Sequence, residues 1–154
     1  MEPQTLQRLL REHPFFRDLE EKYIALLTEC ASNVRFNAGT YIFREGEDAD
    51  KFYLIRFGRV AIEIYSPERG SIILQTLKEG DVLGWSWLFP PYKWHFDARA
   101  VELTRAVALD AACLRKKCEE DKLLGYELLK KFSQVIIQRL QSARLQLLDM
   151  YGHA

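Results

Sequence analysis

Apolar positions follow three periods along the chain. From Thr5 to Cys30 they recur at three and four, Leu6, Leu9 and Leu10 being followed by Tyr23, Ile24, Leu26 and Leu27, the spacing of a helix face. Between the two sets, "HPFFRDLEEK" holds a helix-stopping proline, Asp18 as an N-cap and Glu21 three residues on to complete a capping box. Two short helices joined by a turn are expected. From Val34 to Asp110 the chain turns to short β-branched and aromatic runs, "YIFR", "KFYLIR", "RVAIEIY", "SIILQTL", "VLGW", "FDARAVEL" and "RAVALD". The turn-formers "NAG", "EGEDAD", "FG", "SPERG" and "KEGD" separate them, which predicts an antiparallel sandwich or barrel of about eight strands. In "RVAIEIY", Val60, Ile62 and Ile64 fall on one face and Ala61, Glu63 and Tyr65 on the other.

The helical period returns after Asp110. One stripe runs Leu129, Ile136, Leu140, Ala143, Leu147 and Met150, interrupted by Ser133; Leu124, Leu128, Phe132 and Val135 form a second. Two stripes imply two burial partners. A helix from Asp121 to Met150 would be about 45 Å long, more than the width of a small barrel. Its second half is therefore expected to pack outside the domain, on its own copy across a two-fold axis, with Leu129, Ile136, Leu140, Ala143 and Leu147 as the homodimer interface. The alternative is a solvent-exposed helix end.

Composition sets limits on this picture. The chain of 154 residues suits one domain over 1–154, with N-terminal helices at 1–33, a β-roll at 34–110 and a hinge and dimer helix at 111–154. Lys+Arg and Asp+Glu both number 22, and no basic block interrupts the balance, so nucleic-acid binding by the chain itself is not expected. No apolar run reaches the roughly 20 residues of a membrane span, and "MEPQTLQRLLREHP" does not read as a signal peptide. A cytoplasmic protein without a membrane partner is expected. Cys30, Cys113 and Cys118 form no CxxC pair and read as plain thiols in or near the core. His13, His95 and His153 are too scattered to make a metal site. Glu45, Glu47, Asp48 and Asp50 cluster in one turn and read as a solvated loop tip. With no nucleophile motif or Walker-type loop, a catalytic function is not expected.

Residues 84–100, "GWSWLFPPYKWHFDARA", concentrate the unusual chemistry. They hold all three tryptophans and the Pro-Pro pair. Trp85, Trp87, Phe89, Tyr92, Trp94 and Phe96 make an aromatic cluster, with Ser86 and His95 as polar handles. Such a cluster stacks on a flat ring, encloses a cation, receives an apolar molecule, or simply fills a core. The residues alone leave both the pocket and the filled core open.

Taken in order, "FNAGTYIFREGEDADKFYLIRFGRVAIEIY", "LKEGDVLGWSWL", "ARAVELTRAVALD" and the helical "LLKKFSQVIIQRL" closely resemble the cyclic-nucleotide-binding domain of Crp-Fnr regulators, cyclic-AMP-dependent kinase regulatory subunits and cyclic-nucleotide-gated channels. The resemblance spans about residues 10 to 145, and Gly39, Gly46, Gly58, Gly80 and Gly84 match the family's turn glycines. It implies a mainly β fold with flanking helices: a double-stranded antiparallel jelly-roll barrel, an N-terminal helical segment and a long C-terminal helix. It also implies a phosphate-binding cassette starting at Gly84, where a Glu takes the ribose hydroxyl and an Arg takes the cyclic phosphate. The related cupin rolls bind metals, but the histidines here do not fit that ligand set.

On this match Trp85 stands where the family keeps the Glu, Trp87 where it keeps a small residue, and the Arg position falls near Trp94. Lys93 is a neighbouring charge but lacks the guanidinium fork, and Arg99 lies beyond the cassette. Losing two charge-assisted contacts at about 1.5–3 kcal/mol each would cost roughly 3–6 kcal/mol, taking a notional micromolar site to about a hundred micromolar or worse. Crp-Fnr regulators continue into a DNA-binding domain where this sequence ends, so a stand-alone domain is expected. The expected function is a non-enzymatic small-molecule sensor needing no cofactor. Its effector, a cyclic nucleotide or another small molecule, would be held by Gly84, Trp85, Ser86, Trp87, Lys93, Trp94 and His95 and would bias the C-terminal helix. The alternative is a degenerate domain that dimerises or docks a protein partner without a ligand.

Overall fold

A computed structural model describes residues 3–152, so His153 lies outside the described residues. Helices α1 (Pro3–Glu12) and α2 (Glu21–Thr28) precede eight strands: β1 (Ala31–Phe36), β2 (Tyr41–Phe43), β3 (Lys51–Phe57), β4 (Val60–Ser66), β5 (Gly70–Leu77), β6 (Val82–Leu83), β7 (Asp97–Ala100) and β8 (Thr104–Asp110). Helices α3 (Ala111–Glu120) and α4 (Lys122–Gly152) follow. The strands form two four-stranded antiparallel sheets, ordered β1-β8-β3-β6 and β2-β7-β4-β5. This is the jelly-roll sandwich with flanking helices that the strand pattern and the resemblance called for.

Strand β3 shows why the sequence reads so apolar there. Phe52, Tyr53, Leu54 and Ile55 are all buried, because one face looks into the roll and the other lies under helical segments. The Phe52 ring meets Phe132 of α4 edge-on at 5.0 Å, and His13, just after α1, sits against the Ile55 carbonyl at 3.3 Å. In β4 the face carrying Ala61, Glu63 and Tyr65 is covered at Ala61 and Glu63 and exposed at Tyr65. Glu63 is buried and accepts from the Arg99 guanidinium of neighbouring β7 at 2.9 Å. The ladder to β5 shifts register between Ile62 and Glu63.

Three local expectations are corrected. Helix α2 starts at Glu21 with Glu20 at its N-cap and no side-chain cap bond. Asp18 turns instead to Lys131 of α4, and Glu21 is held by Arg11 and Gln7 of α1, so long-range ion pairs displace the capping box. Cys30 and Cys113 are not plain thiols: they form a disulfide joining the chain before β1 to the first turn of α3. Antiparallel pairing of β1 with β8 brings these residues together from 83 positions apart, helped by an Asp110 N–H to Cys30 O bond of 2.9 Å. Cys118 keeps a free thiol, and burial pushes its pKa up.

Helix α4 divides by burial as its two stripes suggest. Leu124, Leu128 and Phe132 are fully buried, whereas Leu140 is 68% exposed and every residue from there to Tyr151 is exposed. The second half does not leave the roll altogether: Arg139 donates to Val82 O, and Gln146 donates to Leu74 O at 2.8 Å.

His13 accepts the Phe15 N–H at Nδ1, which leaves Nε2 as the donor to Ile55 O, the neutral tautomer. Burial lowers its pKa below 6.5, so below that pH the unfolded chain takes up a proton that the fold refuses. Stability should therefore fall as pH drops from about 6.5, by at most about 1.4 kcal/mol per pH unit, and level off below the folded-state pKa. Urea unfolding between pH 7 and 5.5 checks this, and His13→Gln should flatten the profile.

Candidate functional site

The segment after β6 is built around one missing side chain. Gly84 has φ +100°, a region L-residues rarely adopt, and the Trp94 indole occupies the space where its Cβ would point. A methyl there would lie 2.7 Å from Trp94 Cζ3 and closer still to Cη2. Trp94 also stacks on Phe43 of β2, with ring centroids 3.7 Å apart and planes within 7°. It is 3% exposed. A ring stacked on a neighbouring ring, with its edge against a bare backbone, fills space.

Backbone bonds hold it in place. Trp94 N–H donates to Glu47 O at 3.0 Å, Gly46 N–H to Trp94 O at 2.9 Å, and Ala49 N–H to Tyr92 O at 2.7 Å. The loop before β3 is thereby stitched to the end of the cassette. Lys93, the cationic candidate, pairs with Asp48 at this seam. Beside Lys93 and Trp94 lies an open hollow of about 500 Å³ whose rim carries Glu47, Asp48 and Asp50. Its carboxylates outnumber its single lysine, which disfavours a phosphate.

The other cassette residues face elsewhere. Ser86 and Trp87 lie in a short 3-10 turn, Ser86–Leu88, and both are buried. Trp87 stacks on Phe52 at 5.1 Å and meets Phe132 of α4 edge-on at 5.5 Å, its indole Nε1 buried without a hydrogen-bond partner. Its carbonyl accepts from Arg115 of α3 at 2.7 Å, and that guanidinium also lies over the Tyr92 ring at 4.3 Å. Trp85 is half-buried beneath the Arg139 guanidinium of α4, 4.8 Å from its ring centre. His95 is exposed. Gly84 and Trp94 thus touch, and Trp85 and Trp94 both border Phe96 at 6.1 and 6.3 Å. Trp87 packs instead on Phe52 and Phe132, and Lys93 and His95 are exposed. Phe43, Arg115 and Arg139 were not singled out from the sequence: each sits in an ordinary strand or helix run, and only the fold brings it to the cassette.

The Cyclic nucleotide-binding domain family model matches residues 33–121. The chain belongs to the cyclic nucleotide-binding domain family. It is 28% identical to a CRP-like cAMP-activated global transcriptional regulator of Mycobacterium tuberculosis over 145 residues, 94% of this chain and 63% of that protein. An anaerobic regulatory protein of Bacillus subtilis is 26% identical over 76% of this chain and 49% of its own length. The chain thus spans less than two thirds of these relatives. A crystal structure of a putative cyclic nucleotide-binding protein from Geobacter metallireducens superposes with TM-score 0.76 at 26% identity, covering 91% of this chain and 98% of that one. The sensor domain of the transcriptional regulator DNR from Pseudomonas aeruginosa gives 0.72 at 25% identity, covering 90% and 93%. A cyclic nucleotide-binding domain from Methylobacillus flagellatus, at 16% identity and TM-score 0.83 over 96% of this chain and 85% of that one, shares the fold. Membership makes this a sensor or regulatory domain of the cyclic-nucleotide-binding type. Among the described residues no group of His, Cys, Asp and Glu is placed to hold a metal, and no helix is long and apolar enough to cross a membrane.

Gly84→Ala should destabilise the protein by about 2–5 kcal/mol, combining left-handed backbone strain with overpacking against Trp94. In Trp94→Leu the same change should cost less, with a coupling of at least about 1 kcal/mol in a double-mutant cycle. Chemical denaturation of the four proteins measures it, and strictly additive effects would contradict the contact.

Proposed function

We propose that this protein is a non-enzymatic regulatory domain in which an aromatic plug, Trp94 on Phe43, has replaced the cyclic-phosphate anchor, and in which the cassette sets the position of the C-terminal helices. The observation that carries the reading is the direct attachment of the cassette to both helices. Trp87 packs on Phe132, Arg115 binds the Trp87 carbonyl, and Arg139 covers Trp85. Any rearrangement of the 84–99 segment would disturb all three contacts and shift α3 and α4; an effector acts only if it prefers one of the two arrangements. An effector that works here would displace Trp94 and meet Gly84, Trp85 and Trp94, with Lys93 and His95 at the rim, while Ser86 and Trp87 pass the movement on. The Mycobacterium relative is named as cAMP-activated. In this chain Trp85 and Trp94 stand where the family's two charged contacts are expected, so cyclic AMP and cyclic GMP are not its effectors in the family's manner.

The output surface is the exposed face of α4. Leu129, Leu140 and Leu147 are exposed, Ala143 lies beside them, and Ile136 is half-buried. A second copy of the chain packing along this stripe would bury it, which makes the domain a homodimer. The reading of the domain as a ligand-free dimerisation or docking module rests on the same plug, and differs only in whether any small effector opens it.

Isothermal titration with cyclic AMP and cyclic GMP should give no saturable heat below about millimolar concentration; micromolar binding would overturn the plug reading. Sedimentation should show a dimer that Leu140→Glu with Leu147→Glu converts to a folded monomer. A monomeric parent protein would overturn the dimer.

A further inference from the structure

Away from the cassette, a cavity of about 500 Å³ opens between the turn after α1, the β5–β6 corner and α4. Its polar wall contains Arg17, Lys131 and Arg139. Two carboxylates are present, but both are engaged: Asp18 by the Lys131 ammonium, and Asp81 by the Lys78 N–H at 2.9 Å. Arg139 is the unusual member. One of its amino groups donates to Val82 O and its plane lies over Trp85, but Nη1 is buried with no hydrogen-bond partner. Burial lowers its pKa to about 10, with the charge of Asp81 opposing that shift. A buried guanidinium N–H without an acceptor is costly, and an anion is the partner that would relieve it most.

The lining also includes the apolar side chains of Phe15, Leu77, Val82 and Val135, the last on the same face of α4 as Lys131 and Arg139. With Lys131 already paired to Asp18, the Arg139 guanidinium beside apolar side chains suits a single negative charge attached to a hydrocarbon body better than a doubly charged phosphate. We propose that this cavity is a second ligand site, separate from the cassette, for a small organic carboxylate whose carboxylate accepts from Arg139 while its apolar body lies on Phe15, Leu77 and Val135. Such a ligand would bridge the N-terminal turn to α4 and pin that helix on the roll. Because Arg139 also covers Trp85, occupancy would be felt at the cassette. The site does not depend on the plug reading or on the dimer.

The test uses the full chain and sodium hexanoate as probe, with sodium chloride and sodium phosphate at matched ionic strength. The melting temperature should rise with hexanoate concentration beyond the chloride control. Arg139→Gln should weaken the hexanoate response by about tenfold or more, the worth of one charge-assisted hydrogen bond. Val135→Phe, which fills the apolar part of the cavity and leaves the guanidinium in place, should abolish the response while keeping the fold, and carries the comparison should Arg139→Gln unfold. Hexanoate that does no more than chloride, or that stabilises both variants as it does the parent, would overturn the site. Phosphate that stabilises as strongly as hexanoate would overturn its assignment to a carboxylate.

Discussion

The Trp94 ring stacks its face on Phe43 and sets its Cη2–Cζ3 edge against the bare backbone of Gly84, and much of the cassette's geometry depends on these contacts. They require a glycine at the end of β6, an aromatic residue at the end of β2, and a loop whose backbone bonds fix residues 92–94 beside them. With these met, a large flat side chain occupies the position where the family resemblance places a phosphate contact. Lys93, the nearest cation, is drawn off to Asp48, and the neighbouring rim is acidic. The family's fold is retained, and on the proposed reading the aromatic plug stands in for its anion site.

The same segment reaches the other end of the molecule through Trp87. Because that ring is fully buried between Phe52 and Phe132, β3 and α4 meet across the cassette's own turn. Arg115 and Arg139 add one polar link to each C-terminal helix, and the disulfide from Cys30 holds the start of α3 to the chain before β1. The beginning of α3 is thus anchored, whereas α4 is attached to the roll by Phe132, Arg139 and Gln146 and then runs on with an exposed apolar face. A helix so attached is suited to moving as a lever about its buried first half.

Much of this was legible in the sequence because it depends on local period. Strand alternation, turn glycines and the two stripes of α4 carry the jelly roll and the division of that helix into buried and exposed parts. The capping box at Asp18 was misread because Lys131, 113 residues away, competes for the same carboxylate. The disulfide was missed because the spacing of Cys30 and Cys113 carries no motif; the β1–β8 pairing alone brings them together. Within the cassette, the type of residue marked the segment as unusual, but the direction of each tryptophan was not encoded locally. Trp85, Trp87 and Trp94 face Arg139, Phe132 and Phe43, partners from α4 and β2, both distant in sequence.

The central claim is that Trp94 stays seated on Gly84 when the family's usual ligand is offered. The Gly84 Hα directed at the Cη2–Cζ3 edge of the Trp94 indole lies near the ring plane, where the ring current shifts a proton downfield in proton NMR, and Trp94→Leu identifies that signal by removing the shift. The account predicts that the shifted Gly84 resonance persists unchanged in millimolar cyclic AMP. Its loss or return to an ordinary position on adding cyclic AMP would contradict the account, because the ring would then have yielded its place to the nucleotide.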